Sequence, residues 1–239
     1  VPLLALPAAA YILPPEAVVK KASERRAALE VLTVEAAGTV ELRGTALARL
    51  GAQPAAGTTL TLPARILVKQ GGKARRELQP VDAAEGERPY ASVRDEALSG
   101  RGGLDATPAA AALVRALAAL LSAPPGNEGK ALGDALARRG VKLDDVTLGR
   151  FNGRLALVLG GREADPRPLA FIDKETFLPL RLLFSEGSVR LDVRLLDWAS
   201  PTGGDWFPRA VEVWDGATLL LRFTTEKASV NGKLADALF

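Results

Sequence analysis

Seven apolar runs lie between Val141 and the C-terminus, and little separates them. They fall near 145–151, 154–160, 168–173, 177–185, 188–198, 207–214 and 217–226. The links are turn signals: Asn152-Gly153, GGREADPRP, DKET, Glu186-Gly187, SPTGGD and Asp215-Gly216. Parallel neighbours need crossovers of about a dozen residues or more, so links this short predict an antiparallel meander. Helical patterns come earlier, over about 15–29, 108–121 and 129–139, and do not alternate with these runs. Clustered helices beside a run of strands indicate an α+β chain, not α/β.

Within the runs, alternation assigns faces. In SVRLDVRLLDW, Val189, Leu191, Val193 and Leu195 fall on one side and Arg190, Asp192 and Arg194 on the other. LLLRF sets Leu219, Leu221 and Phe223 opposite Thr218 and Arg222, and RLALVL brings Leu155, Leu157 and Leu159 together. In PLAFIDKETFLPLRLLF the inward side is expected to carry Leu169, Phe171, Leu180, Leu182 and Phe184, with Arg181 outside. Pro179 cannot donate to a ladder, so it belongs at a strand start or a bulge. Upstream, a strand over 32–42 precedes a hairpin that turns at Gly71-Gly72 and puts Leu60, Leu62, Ile66 and Val68 on one side. The stretch 82–103 is polar and Gly-rich, with room for a short strand.

A sheet that is apolar on one face must cover that face. Thr107-Pro108 is a cap and first-turn pair, and Leu113, Leu117, Leu120 and Leu121 follow at helical spacing, so this helix is available as cover. Wide twisted sheets curl. The expected fold is one wide, curved antiparallel sheet, an unclosed half-barrel, wrapped over a few helices. The same inward residues serve a packed core or an apolar ligand cavity, and pattern does not separate the two.

The chain contains no His and no Cys. That excludes Ser-His-Asp and Cys-His catalysis, disulfides and thiolate zinc sites. No acids fall at metal-ligand spacing, so neither a metal nor a cofactor is expected, and the chain reads as a non-enzyme. Asp173 and Glu175 sit in DKET, where the aspartate suits a bend better than an acid pair. A net charge of +3, with bases scattered among acids and few aromatics, argues against nucleic acid. No run is long and apolar enough for a spanning helix, so an integral membrane protein is not expected. VPLLALPAAA at the start is uncharged and ends in three alanines, like the tail of a secretory signal peptide. The expectation is a remnant over 1–10 and a single exported domain over 11–239.

Several stretches then resemble one family in order. PARILVKQGGKARRELQP is similar to the second hairpin of the bacterial lipoprotein carriers, the LolA/LolB-like superfamily, with Arg75, Arg76 and Glu77 in the Arg-rich strand. RLALVLGGREADPRPLAFIDKETFLPLRLLF resembles the outer-membrane lipoprotein-sorting group, with its Asp-Lys-x-Thr-x-x-Pro string. LLDWASPTGGDWFPRAVEVWDG and KASVNGKLADALF resemble the hairpin and the ending that follow. The resemblance covers about 11–239 and implies an apolar cavity between sheet and lid helices, a periplasmic location and a monomer. The implied cargo is a lipid or an acylated lipoprotein, handed on by envelope transport machinery; the alternative is a sensor or interaction module on the same fold. The cavity wall would then be the inward residues above, with Leu113 and Leu117 from the lid. Arg75, Arg76, Trp198 and Trp206 would border its mouth, although such arginines also make solvated strand faces and such tryptophans anchor cores. No mature N-terminal Cys is present, which departs from a lipid-anchored receptor.

Overall fold

The computed structural model shows two antiparallel meanders joined into one sheet. The structure describes residues 12–43, 59–78, 91–94, 97–100, 108–122 and 129–239. The expected signal-peptide remnant lies outside them. The first meander is β1 (Thr33–Arg43), β2 (Thr59–Lys69), β3 (Lys73–Leu78), β4 (Ala91–Arg94) and β5 (Ala97–Gly100). The second is β6 (Val146–Phe151), β7 (Arg154–Leu159), β8 (Leu169–Asp173), β9 (Pro179–Glu186), β10 (Val189–Leu196), β11 (Ala210–Asp215) and β12 (Thr218–Val230). Strand β12 returns antiparallel beside β1, so the order is β5-β4-β3-β2-β1-β12-β11-β10-β9-β8-β7-β6. The end strands β5 and β6 are not paired with each other, so the sheet is an unclosed half-barrel.

Among the described residues, three α-helices complete the fold: α1 (Pro15–Ala27), α2 (Pro108–Leu121) and α3 (Lys130–Arg138). Pro14 precedes α1 in an extended conformation and Pro15 opens it, as a fixed φ allows in a first turn. Helix α2 lies against β2 and β3 on one side and against β9 to β12 on the other. Strand β3 stands six places from β9, about 29 Å across a flat sheet at 4.8 Å per strand. A helix of 14 residues is about 21 Å long, so it meets both only because the sheet curls around it. Helix α3 packs on α2 and α1 packs on α3.

Directly opposed residues share a face. The row Leu195–Val211–Phe223–Val40 crosses four strands on the concave side, and every member is at most 1% exposed. The convex side carries charge: Arg181 grips Asp192 with Nε at 2.7 Å, and Arg194 donates to the same carboxylate at 2.8 Å. On the other half, Glu35, Arg65, Glu77 and Arg75 alternate in a ladder of ion pairs.

The register corrects the expected face at three places. Leu169 opposes Leu183, and Phe171 opposes Arg181, so both point to the convex side; Ala170 and Ile172 take the concave one. They are nonetheless fully buried. The loop 160–168 is tied over them, through Glu163 to Arg181 and through the carbonyls of Asp165 and Arg167 to Arg190. Arg181 also lies over the Phe171 and Phe151 rings. A bulge between Phe171 and Ile172 leaves Leu180 as the unpaired residue beside Pro179, where a missing N–H costs least. A second bulge, at Val213/Trp214, pairs Leu219 with Trp214 on the convex face, so Leu220 packs on the core instead.

Candidate functional site

The concave side of the sheet and the helix that fills it make up the candidate site. Leu42, Ile66, Val68, Leu157, Leu182, Phe184, Leu191, Val193, Leu195, Leu221 and Phe223 are all at most 2% exposed. Leu60 and Leu62 are partly buried against the same core. Leu155, at the β7 start, is 39% exposed and lies beyond the cover. Leu113 and Leu117 of α2 are fully buried, as are Ala110, Ala112 and Ala116. So the structure brings most expected wall residues together, and α2 occupies the space between them.

Apolar space remains at one end. A slot of about 20 Å³ is framed by Ala22 and Arg26 of α1, Leu120 and Leu121 of α2, Leu132 of α3, and Ile172, Phe177, Pro179 and Trp198. That is room for about one water. Trp198 is buried, and its Nε1 donates to the Pro179 carbonyl at 2.8 Å. Trp206 is 37% exposed, and its carbonyl accepts from Arg26 at 2.7 Å. The Arg26 Nε also donates to the carbonyl of Leu121 in the last turn of α2, where carbonyls lack an intrahelical partner. Arg25 pairs with Asp205. Arg26 therefore latches α1 to α2 and to the loop 197–208. Burial pushes its guanidinium down to about 10. Nothing in the sequence marks Arg26 among the charges of KKASERR; only the tertiary position does.

The two arginines expected at a mouth separate. Arg75 opposes Leu67 on the convex side and donates to the Leu238 carbonyl at 2.5 Å. Arg76 opposes Ile66 on the concave side and is fully buried. One residue of strand period sends neighbours to opposite faces, which KARREL alone does not resolve.

Asp173 is a turn residue. Its Oδ1 accepts from the Glu175 and Thr176 amides and the Thr176 hydroxyl, and its Oδ2 meets Arg154 at 2.8 Å. No group of three or more metal-ligating side chains occurs among the described residues. No helix among them is long and apolar enough to cross a membrane.

No family model and no curated protein sequence matches the chain. Three solved structures are similar in overall shape. One is named for an outer membrane lipoprotein-sorting protein domain from Vibrio parahaemolyticus, at 13% identity and TM-score 0.48, covering 92% of this chain and 94% of that one. A LolA superfamily protein from Nitrosomonas europaea matches at 11% identity and TM-score 0.46, covering 95% and 97%. A DUF1329 family protein from Desulfovibrio piger matches at 12% identity and TM-score 0.45, covering 95% and 98%.

Proposed function

We propose that the chain is a periplasmic, non-enzymatic carrier of lipid or lipoprotein acyl chains, and that its compartment is the space α2 now fills. The observation that supports this is the composition of the plug. The buried surface of α2 includes six alanines, Ala109, Ala110, Ala111, Ala112, Ala116 and Ala119, beside four leucines. A short methyl makes few dispersion contacts, so an alanine-rich helix gives up less on leaving a sheet than a leucine-rich one. An acyl chain taking its place gains about 0.8 kcal/mol for each methylene removed from water. The inward leucines, valines and phenylalanines then line the chain as they now line the helix. Movement of the helix layer is gated at the slot, where the Arg26 latch holds α1 through two hydrogen bonds.

The test is extraction of the full chain with organic solvent and lipid mass spectrometry of the extract, beside displacement of a fluorescent fatty acid. Co-purified acyl lipid and saturable displacement are expected. Absence of both would leave α2 as an ordinary core helix and the carrier reading without support.

A further inference from the structure

The chain holds two Asn-Gly dipeptides, Asn152-Gly153 and Asn231-Gly232, and both asparagines sit in the left-handed region, at φ 48° and 58°. Asparagine tolerates that region because its short amide can bond locally. The fold then treats the two side chains differently. Asn231 follows β12, and its amide is spent on the link before β1. Its Oδ1 accepts from the Leu32 amide at 2.8 Å, and its Nδ2 donates to the Glu30 carbonyl at 3.0 Å. Its backbone amide donates to the Thr33 carbonyl at 2.9 Å. Asn152 and Gly153 instead form the turn between β6 and β7, closed by the Phe151–Arg154 pair. Both are exposed, and the Asn152 side chain makes no hydrogen bond among the described residues. Nothing lies within 4 Å of the position a Gly153 Cβ would take, so no neighbour crowds the turn.

We propose that Asn152 is a site of self-modification in the folded chain, deamidating through a succinimide, and that the fold protects Asn231 from the same reaction. Water or hydroxide takes the Gly153 amide proton, and the nitrogen attacks Cγ of Asn152. The new N–Cγ bond closes the succinimide ring as the Cγ–Nδ2 bond breaks and Nδ2 leaves as ammonia. Water then opens the ring. Opening at Cγ gives aspartate. Opening at the main-chain carbonyl gives isoaspartate, whose backbone runs through the former side chain. Glycine favours the attack because it has no Cβ to shield its nitrogen. Either product lowers the formal net charge of +3 by one. Isoaspartate also adds a methylene to the main chain, inside a turn whose geometry sets the β6–β7 register. Strand β6 pairs with β7 alone, so no second neighbour restores that register. At Asn231 the ring cannot close until Oδ1 and Nδ2 let go of Leu32 and Glu30.

The experiment is incubation of the full chain in mildly alkaline buffer, with and without urea, followed by digestion at acidic pH and mass spectrometry of the peptides. In the folded chain, conversion at Asn152 is expected to run at least about tenfold faster than at Asn231, the factor set by breaking one or two hydrogen bonds before the ring can close. In urea the bonds that hold Asn231 are gone, and the two rates should come together. Fragmentation of the converted peptide should show isoaspartate beside aspartate at 152. Isoelectric focusing of the intact chain should show a more acidic band growing at the same rate. Equal rates at the two sites in the folded chain would overturn the proposal, because the fold would then make no distinction between them. No conversion at Asn152 in the folded chain, whatever happens in urea, would overturn it too, because the hairpin would then hold the side chain out of line for attack.

Discussion

Asp173 shows what one residue can settle. Its carboxylate collects three hydrogen bonds from Glu175 and Thr176 and an ion pair from Arg154, while its own side chain is nearly sealed from water. The DKET string carries that geometry in its letters, because a short carboxylate reaches amides two and three residues on. Asp236 is the opposite case: an exposed acid whose role depends on partners about 165 residues away. Its carboxylate accepts from Lys73 at 2.7 Å and faces Lys69 at 3.0 Å, and so pins the C-terminal tail over the convex face of β2 and β3. Hydrogen bonds from the two lysines hold its carboxyl down at about 2, below the ordinary 3.8. A depressed carboxyl favours the folded tail above pH 3.8, and the effect is lost as pH falls through about 2. Carbon-detected NMR titration should give Asp236 a midpoint near 2 at low salt, moving up toward 3.8 in Lys73→Gln. A parent midpoint at the ordinary value would show that the tail is not held this way.

At the scale of elements, type and limits were readable and faces were only partly so. Turn signals at Asn152-Gly153, Glu186-Gly187 and Asp215-Gly216 place strand ends to within a residue or two. Faces follow from a period of two, which holds until a bulge inserts one residue. The slips beside Pro179 and at Leu220 reverse Leu219 and set Leu180 apart, and the sequence signals only the first of them, through its proline. Leu169 and Phe171 are misleading for another reason. They are apolar on a face that is charged elsewhere, because a loop covers them, and alternation cannot reveal a loop folding back from outside the strand. A third irregularity, at Ala37/Gly38, has a testable cause. A Cβ on Gly38 would lie 1.9 Å from the Thr224 carbonyl oxygen, and both groups belong to paired backbones at the seam between the two meanders. Gly38→Ala should lower stability by about 2–3 kcal/mol in urea denaturation, as overpacking does where backbone cannot yield. Gly232→Ala, with nothing near its Cβ, should change it by less than about 0.5 kcal/mol.

For the whole molecule, the half-barrel was legible because its logic is additive. Short links give a meander, a one-sided sheet needs a cover, and a wide sheet curls. The site was less legible because a plug and a core helix use the same residues. Leu113, Leu117 and their alanine neighbours satisfy either reading, and only the response to ligand separates them. The chain has no cysteine, so two can be introduced and spin-labelled without background. Ala137 on α3 and Lys227 on β12 are both exposed and stand on opposite sides of the sheet–helix interface. Packed helices sit about 8–10 Å from their neighbours, and an acyl chain is about half that thick. If α2 and α3 lift together to admit one, the Ala137→Cys/Lys227→Cys distance measured by pulsed electron resonance should lengthen by about 4–5 Å when fatty acid is bound. Weakening the latch with Arg26→Gln should populate the longer distance before any ligand is added, since a ligand only shifts states already accessible. A single short distance in both variants, with fatty acid demonstrably bound, would mean that the chain is held without displacement of the helix layer, and the compartment would have to be sought outside the concave face.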